Sequence, residues 1–259
     1  MNLEGATLLV TGGGSGVGRQ LAVQAAGRGA RIVIWDRDEA AGRATAEQIG
    51  AAASHQVVDV TDSGAVVEAA RATGTVDVLV NCAGVVSGQR LLDASEAQIR
   101  RTFEVNTLAL YWTTRAFLPA MLERRSGTVV TIASAAGLVG VARQTDYSAS
   151  KWAAIGFTES LRAELRGTGV GTLAVEPFYI DTGMFAGVRT RFPRLLPILK
   201  EADVAARVLD AIERDRPVLA MPPLVRTLPV LRALPTRAFD AVVDFFGVNH
   251  TMDHFVGRR

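Results

Sequence analysis

Short apolar runs alternate along this chain with longer stretches in which apolar residues recur every three or four positions. The short runs are Ala6–Val10, Arg31–Trp35, His55–Val58, Val76–Val80, Thr128–Ile132 and Gly171–Val175; they are rich in β-branched residues and predict strands. Near-continuous apolar character at that length belongs to parallel strands covered on both faces, so all six are expected to be buried. Val17–Gly29, Glu39–Ile49, Ser63–Thr73, Glu96–Arg124 and Tyr147–Arg166 carry the helical period. Ser95, followed by Gln98, supplies a capping-box start for the longest of them. Strands alternating with helices imply right-handed βαβ crossovers. The expected fold class is therefore α/β: a doubly wound, Rossmann-like parallel sheet in a three-layer αβα arrangement. Pro217–Met221 is a candidate last strand.

No repeat, low-complexity stretch or linker interrupts residues 1–259, which read as one dinucleotide-binding domain. After about Met221 the pattern changes. Pro222, Pro223, Pro229 and Pro235 punctuate a leucine-rich stretch carrying Arg226, Arg232 and Arg237, so residues 222–259 are set apart as a C-terminal extension. With 49% hydrophobic residues, a chain of this length buries a sizeable core without disulfides or metal. Its 28 basic and 26 acidic side chains leave a net charge of +2, which does not suggest a nucleic-acid partner. The single cysteine, Cys82, allows no intrachain disulfide and fits a reducing, cytoplasmic setting. No basic segment followed by an apolar run opens the sequence, and no stretch reaches about 18 uninterrupted apolar residues. Neither a signal peptide nor a spanning helix is expected.

Thr11-Gly12-Gly13-Gly14-Ser15-Gly16-Val17-Gly18 lies between the first strand and the first helix. Glycines there let the backbone turn tightly against a pyrophosphate, while the helix N-terminus supplies amide donors and positive potential. A glycine run alone can be a mere turn; its place between strand and helix, 24 positions before Asp36, makes it a dinucleotide fingerprint. Asp36, at the end of the second strand, can accept both hydroxyls of an adenosine ribose and would repel a 2′-phosphate. Arg37 either holds such a phosphate or is a solvated loop charge. The glycine loop adds no second basic residue, which favours NAD over NADP. Asp59 and Val60 follow the third strand, and Asn81-Cys82-Ala83-Gly84 closes the fourth. Their small size admits adenine and its ribose, whereas Asn81 also suits a turn cap and Cys82 suits plain packing.

Tyr147 and Lys151 stand four positions apart, on one face of a predicted helix. A free phenol has a pKa near 10. A neighbouring ammonium favours phenolate and brings the phenol toward the range of a general base. Such a pair is common on surfaces, but Ser134 lies thirteen positions before Tyr147, just past the fifth strand. That connection can fold the hydroxyl back to meet a substrate oxygen. Asn106, a poor helix former within the long helix, is expected to connect Lys151 to solvent through a side-chain or water-mediated hydrogen bond, or else to be an ordinary buried amide. His55, His250 and His254 are too dispersed for a metal site, and this chemistry needs no metal.

The glycine loop, Asn81-Cys82-Ala83-Gly84, Asn106, Ser134 and Tyr147/Lys151 together resemble the short-chain dehydrogenase/reductase family, in order and spacing, over roughly residues 5–182. The resemblance implies that Tyr147 is the acid/base, that Lys151 lowers its pKa and binds the nicotinamide ribose, and that Ser134 positions the substrate oxygen. It implies a proton relay supported by Asn106, with Gly12, Gly16 and Gly18 as cofactor glycines beside Ser15 and Val17. Asp59 and Val60 would lie near adenine, Asn81, Ala83 and Gly84 near its ribose, and Pro177, Ile180 and Thr182 near the nicotinamide. A homodimer or homotetramer packed through the long helices is implied as well. Two positions depart from the family pattern: Cys82 stands for a usual Asn, and Phe178 for a usual Gly after Pro177.

Pro177–Met184 and the tail from Leu234 to Val256 resemble a narrower branch, the retinol and 17β-hydroxysteroid dehydrogenases, which act on lipophilic alcohols. Residues 183–200 mix Met184, Phe185, Phe192 and Leu195 with Arg189, Arg191 and Arg194, the composition of a substrate lid. Such a lid either packs on its own domain or touches a membrane surface. The extension likewise faces either a membrane or another subunit. The reading is an oxidoreductase moving a hydride between NAD(H) and a lipophilic alcohol or ketone, cytoplasmic or peripheral to a membrane. Its alternatives are an NADP-dependent carbonyl reductase that uses Arg37, and a non-catalytic dinucleotide or membrane-surface binding protein.

Overall fold

The structure is a computed structural model that describes residues 1–257; Arg258 and Arg259, the end of the expected extension, lie outside the described residues. Its sheet has seven strands: β1 (Thr7–Thr11), β2 (Arg31–Asp36), β3 (Ala53–Val57), β4 (Val78–Asn81), β5 (Gly127–Ile132), β6 (Val170–Pro177) and β7 (Val218–Met221). All pairings are parallel, in the order β3-β2-β1-β4-β5-β6-β7. Helices α1 (Gly16–Ala26), α2 (Glu39–Ile49), α3 (Ser63–Thr73), α4 (Glu96–Phe103), α5 (Ala109–Arg124), α6 (Thr145–Glu164) and α7 (Glu201–Glu213) cover it.

Alternation along each strand divides the core into two. Leu8, Val10, Ile32, Ile34, Val78 and Val80 point to the face covered by α1 and α7. Leu9, Val33, Trp35, Leu79 and Val129 point to the face covered by α3, α5 and α6. Trp35 is fully buried, with its indole Nε1 donating to Thr73 at 3.2 Å and its ring 5.5 Å from Phe117. Polar side chains start the helices: Asp38 caps α2, Asp62 caps α3, and Ser95 with Gln98 forms the expected capping box of α4.

The elements differ from expectation in three places. First, β3 is not buried on both faces: as the edge strand it pairs only with β2, and Val57 is 57% exposed. Second, the expected helix from Glu96 to Arg124 is broken by a π-helical turn at Glu104–Leu108. The wider turn re-aims the side chains within it, Asn106 included, and such turns gather at functional sites. Third, α7 adds a helix beyond those expected. Val204, Ala205, Val208, Leu209 and Ile212 recur on its inner face and pack on α1, while Arg28 pairs with Asp210 and Glu213 on α7.

Two further helices, α8 (Leu228–Leu231) and α9 (Thr236–Phe245), belong to the C-terminal extension. The extension packs on its own domain: Val243, Val248 and Met252 form a separate apolar cluster with Val139, Val141, Tyr179 and Val188. The chain runs to β2 and β3 on one side of β1, and β4 to β7 lie on the other, so the loops leaving β1 and β4 diverge. In open parallel sheets this divergence opens a crevice at the strands' carboxyl ends.

Candidate active site

The crevice is built first by close backbone approach. A side-chain carbon on Gly12 would come within 2.9 Å of the Cα of Ala83, and one on Gly18 within 2.1 Å of the Gly12 carbonyl oxygen. Glycine is required at both positions for steric reasons. The Thr11 hydroxyl accepts from the amides of Cys82 at 3.0 Å and Ala83 at 3.1 Å, which pins the loop after β4 to the end of β1. Ser15 caps α1 without a side-chain hydrogen bond, and the first turn carries no acidic residue. The amides there stay available to an anion, with the helix dipole behind them.

Around this cradle runs a cleft of about 2000 Å³, its open mouth included. Gly12, Ser15, Gly16, Val17 and Gly18 form its floor; Asp36, Arg37, Asp59 and Val60 line one end, and Ala83 and Gly84 the middle. Pro177, Ile180 and Thr182 line the other end beside Ser134, Tyr147 and Lys151. Asp36 uses one carboxylate oxygen to accept from the Gly14 amide at 2.9 Å and the other to accept from the Asp38 amide at 3.0 Å. The length, the glycine floor and the acidic end fit a dinucleotide.

Two residues expected at the cleft occupy other places. Asn81 is buried beneath it: its side-chain oxygen accepts from Thr113 at 2.7 Å, and its amide nitrogen lacks a partner. Strand alternation turns this side chain into the sheet–helix interface, leaving Cys82 to Gly84 to line the space. Asn106 is also buried. It accepts from the Val85 amide at 2.9 Å, donates to the Val85 carbonyl at 2.9 Å, and donates to Ser150 at 3.0 Å. These bonds clamp the loop after β4 to α6, and a side-chain carbon on Gly84 would lie 3.5 Å from Asn106 Oδ1 and 3.8 Å from Lys151 Nζ.

The chemical groups come from two segments. Ser134 follows β5, where its hydroxyl accepts from the Ala136 amide at 3.1 Å. Tyr147 and Lys151 lie on consecutive turns of α6, with the Lys151 ammonium 5.7 Å from the centre of the phenol ring. Burial pushes the Tyr147 phenol well above its ordinary pKa of 10.0, and the neighbouring Ser134 hydroxyl offsets this only in part. Burial pushes the Lys151 ammonium down to about 8, while its Nζ donates to the Ile132 carbonyl at 2.8 Å. Desolvation is the largest influence on both groups. Burial also raises the Cys82 thiol to about 12, which leaves it inert.

Beyond Tyr147 opens a second space, the feature that motif reading did not reach. Val139, Val141, Gln144, Tyr179, Leu228 and Val243 are among its walls, and it encloses about 780 Å³ with its mouth. Its one buried polar chain is Gln144 to Tyr179 at 3.1 Å and Tyr179 to Thr251 at 2.8 Å. The walls come from loops after β5 and β6 and from the extension, so no local spacing announces them. Two supporting groups also went unpredicted. Ser150 links Asn106 to the Tyr147 carbonyl, and buried Asp146 accepts from Ser87 and Thr102.

Comparison with known proteins decides the family. Residues 6–192 match the family model described as short chain dehydrogenase. The chain is a short-chain dehydrogenase. Among curated relatives of this dehydrogenase, the epidermal retinol dehydrogenase 2 of Mus musculus is 38% identical across 100% of this chain and 87% of its own length. The short-chain dehydrogenase/reductase 3 of Homo sapiens is 38% identical over 99% of this chain and 88% of its own. A solved short-chain dehydrogenase/reductase from Burkholderia phymatum in complex with NAD superposes with a TM-score of 0.81. It is 28% identical and covers 90% of this chain and 95% of that one. The sequence resemblance to the family and to its retinol dehydrogenase branch agrees with these relatives.

Proposed function

We propose that this dehydrogenase uses NAD(H) to interconvert a lipophilic alcohol, of the retinoid or long-chain kind, and its carbonyl. The observation carrying this reading is that Ser134 and Tyr147 line both the dinucleotide-sized cleft and the apolar cavity. A substrate oxygen at that junction meets both hydroxyls while its apolar body lies among Val139, Leu228 and Val243. The retinol dehydrogenase relatives support the substrate class.

A bound nicotinamide dinucleotide would supply the hydride donor or acceptor and, when oxidised, a positive charge beside the phenol. Asp36 would hold its adenosine ribose, the amides at the start of α1 its pyrophosphate, and Lys151 and Thr182 its nicotinamide end. For carbonyl reduction, Tyr147 donates its proton to the substrate oxygen. The phenol is neutral in its buried setting and ready for that role. For alcohol oxidation Tyr147 takes the proton, and any nearby positive charge eases its ionisation. Ser134 donates a hydrogen bond to the oxygen as charge develops there.

Asp36, committed to the Gly14 amide and facing the ribose end, favours NAD over NADP by repelling a 2′-phosphate. Steady-state kinetics with all-trans-retinol and primary alcohols test both points. NAD should exceed NADP in kcat/KM, and Asp36→Ala should narrow that preference by roughly tenfold or more. A preference for NADP in the unaltered protein would move the assignment to Arg37. For quaternary structure, half-exposed Tyr111 and Trp152 on α5 and α6 support a homo-oligomer packed through these helices, which sedimentation tests directly.

A further inference from the structure

The polar chain in the cavity beyond Tyr147 runs its hydrogens in one direction. The Thr251 hydroxyl donates to the Val248 carbonyl at 2.7 Å, so toward Tyr179 its oxygen can only accept. The Tyr179 hydroxyl therefore donates to Thr251 at 2.8 Å and accepts from the Gln144 amide nitrogen at 3.1 Å. That order fixes which way the Gln144 amide is turned: nitrogen toward Tyr179, carbonyl oxygen away from it. Gln144 is 1% exposed and lines the cavity, yet among the described residues nothing donates to its side-chain carbonyl oxygen. Its backbone is held on both sides, the amide donating to the Val141 carbonyl at 3.1 Å and the carbonyl accepting from the Ser148 amide at 2.7 Å. Gln144 caps α6, and Tyr147 lies in the first turn of that helix. One rigid element thus sets the spacing between the unpaired oxygen and the phenol.

We propose that Gln144 is a specificity-determining residue: its carbonyl oxygen accepts a hydrogen bond from a second hydroxyl on the substrate's apolar body. The proposal deepens the proposed function and rests on it, narrowing the substrate class to lipophilic alcohols that carry another hydroxyl away from the reacting carbon. A buried acceptor left unpaired is costly, and folded chains leave few of them. The side chains of Val139, Val141, Leu228 and Val243 around it are apolar and offer no donor. A substrate can bring one. A hydroxyl gives its proton to this oxygen, whereas a carboxylate or an ether would meet it lone pair to lone pair. A plain apolar alcohol buries the oxygen unpaired, and a site of that kind discriminates against the ligand that lacks the hydroxyl. Tyr147 with Ser134 at one point, and Gln144 at the other, then select the distance between the two hydroxyls.

The test compares wild type, Gln144→Leu and Tyr179→Phe on 1-decanol, on the series from 1,4- to 1,10-decanediol, and on the matching methoxy alcohols, which keep the second oxygen and lack its proton. Affinities come from calorimetric titration of the cofactor-free protein, and kcat/KM is measured with NAD. Wild type should favour at least one decanediol over 1-decanol by about tenfold in both readouts, and the methoxy partner should lose that advantage. Gln144→Leu should abolish the preference while binding 1-decanol at least as tightly as wild type does; loss of packing would weaken both alcohols alike. Tyr179→Phe leaves the Gln144 amide unanchored and should fall between. It also decides the matter if the leucine variant melts below the assay temperature. A wild-type preference under about threefold at every position, as when a fixed water occupies the oxygen, or an unchanged preference in the folded variants, would overturn the proposal. Failure of every protein to oxidise any of these alcohols, with the calorimetric preference as expected, would instead reject the proposed function and leave the Gln144 contact standing.

Discussion

The two halves of the site are built by different physics. The cofactor half is a polar cleft whose shape follows from backbone contact: Gly12 against Ala83, Gly18 against Gly12, and Thr11 holding the amides of Cys82 and Ala83. Steric demands of this kind restrict residue type, so the half can be recognised from short spacings. The half proposed to take substrate is an apolar cavity walled by segments remote in sequence, such as Val141, Tyr179, Leu228 and Val243. Its demand is mainly for apolar volume, which many side chains meet. One half is specified by geometry and the other by chemistry in bulk. Tyr147 and Ser134 stand where the two meet.

The largest effect should come from the junction itself. Tyr147→Phe removes the proton donor while keeping the ring that packs on Phe185. Carbonyl reduction should fall by roughly 10²–10⁴-fold or more, with NADH affinity in fluorescence titration within a few-fold of wild type. A similar loss of NADH affinity would mean that the two halves are not separable as described.

A smaller effect should separate the halves from the cavity side. Phe239→Ala in α9 trims a cavity wall. KM for all-trans-retinol should rise about tenfold, with little change in KM for NAD, because a lost apolar contact is worth roughly 1–3 kcal/mol. Equal rises in both would show that the extension supports the cofactor cleft as well.

The smallest effect is a difference in pH profile. Burial raises the pKa of Tyr147, so its neutral form, the donor for reduction, dominates through neutral pH. Reduction should be nearly flat from about pH 6 to 8, because the donor stays protonated there. Alcohol oxidation needs the ionised phenol, so kcat/KM for oxidation should climb with pH across that window. Burial brings the Lys151 ammonium down to about 8, so the climb should slacken above that point as the nearby cation is lost. Oxidation that declines with rising pH would contradict the assigned proton acceptor.

Much of the cofactor half was legible in the sequence, and little of the substrate half. All seven strands follow from apolar runs, with ends displaced by a residue or two because hydrogen bonding, not hydropathy, sets where a strand stops. The edge position of β3 left only a faint mark, the polar His55 and Gln56 in a run otherwise like an inner strand's. Asn81 illustrates a finer limit: the motif places its backbone, but alternation decides that its side chain points under the cleft to Thr113. Asn106 illustrates another. A π-turn is an insertion into helical geometry with no strong residue signal, so its clamp on Val85 and Ser150 appears only in the folded chain. The helix α7 carried a readable period in Val204, Ala205, Val208, Leu209 and Ile212, and it was lost beside the irregular segment before it.

The most direct test is a crystal structure of the dehydrogenase with NADH and an unreactive apolar alcohol analogue. The account predicts the analogue's oxygen within hydrogen-bond distance of both the Tyr147 and Ser134 hydroxyls, with its body between Val139 and Val243. An oxygen bound away from these two groups, or an apolar body lying outside that cavity, would contradict it.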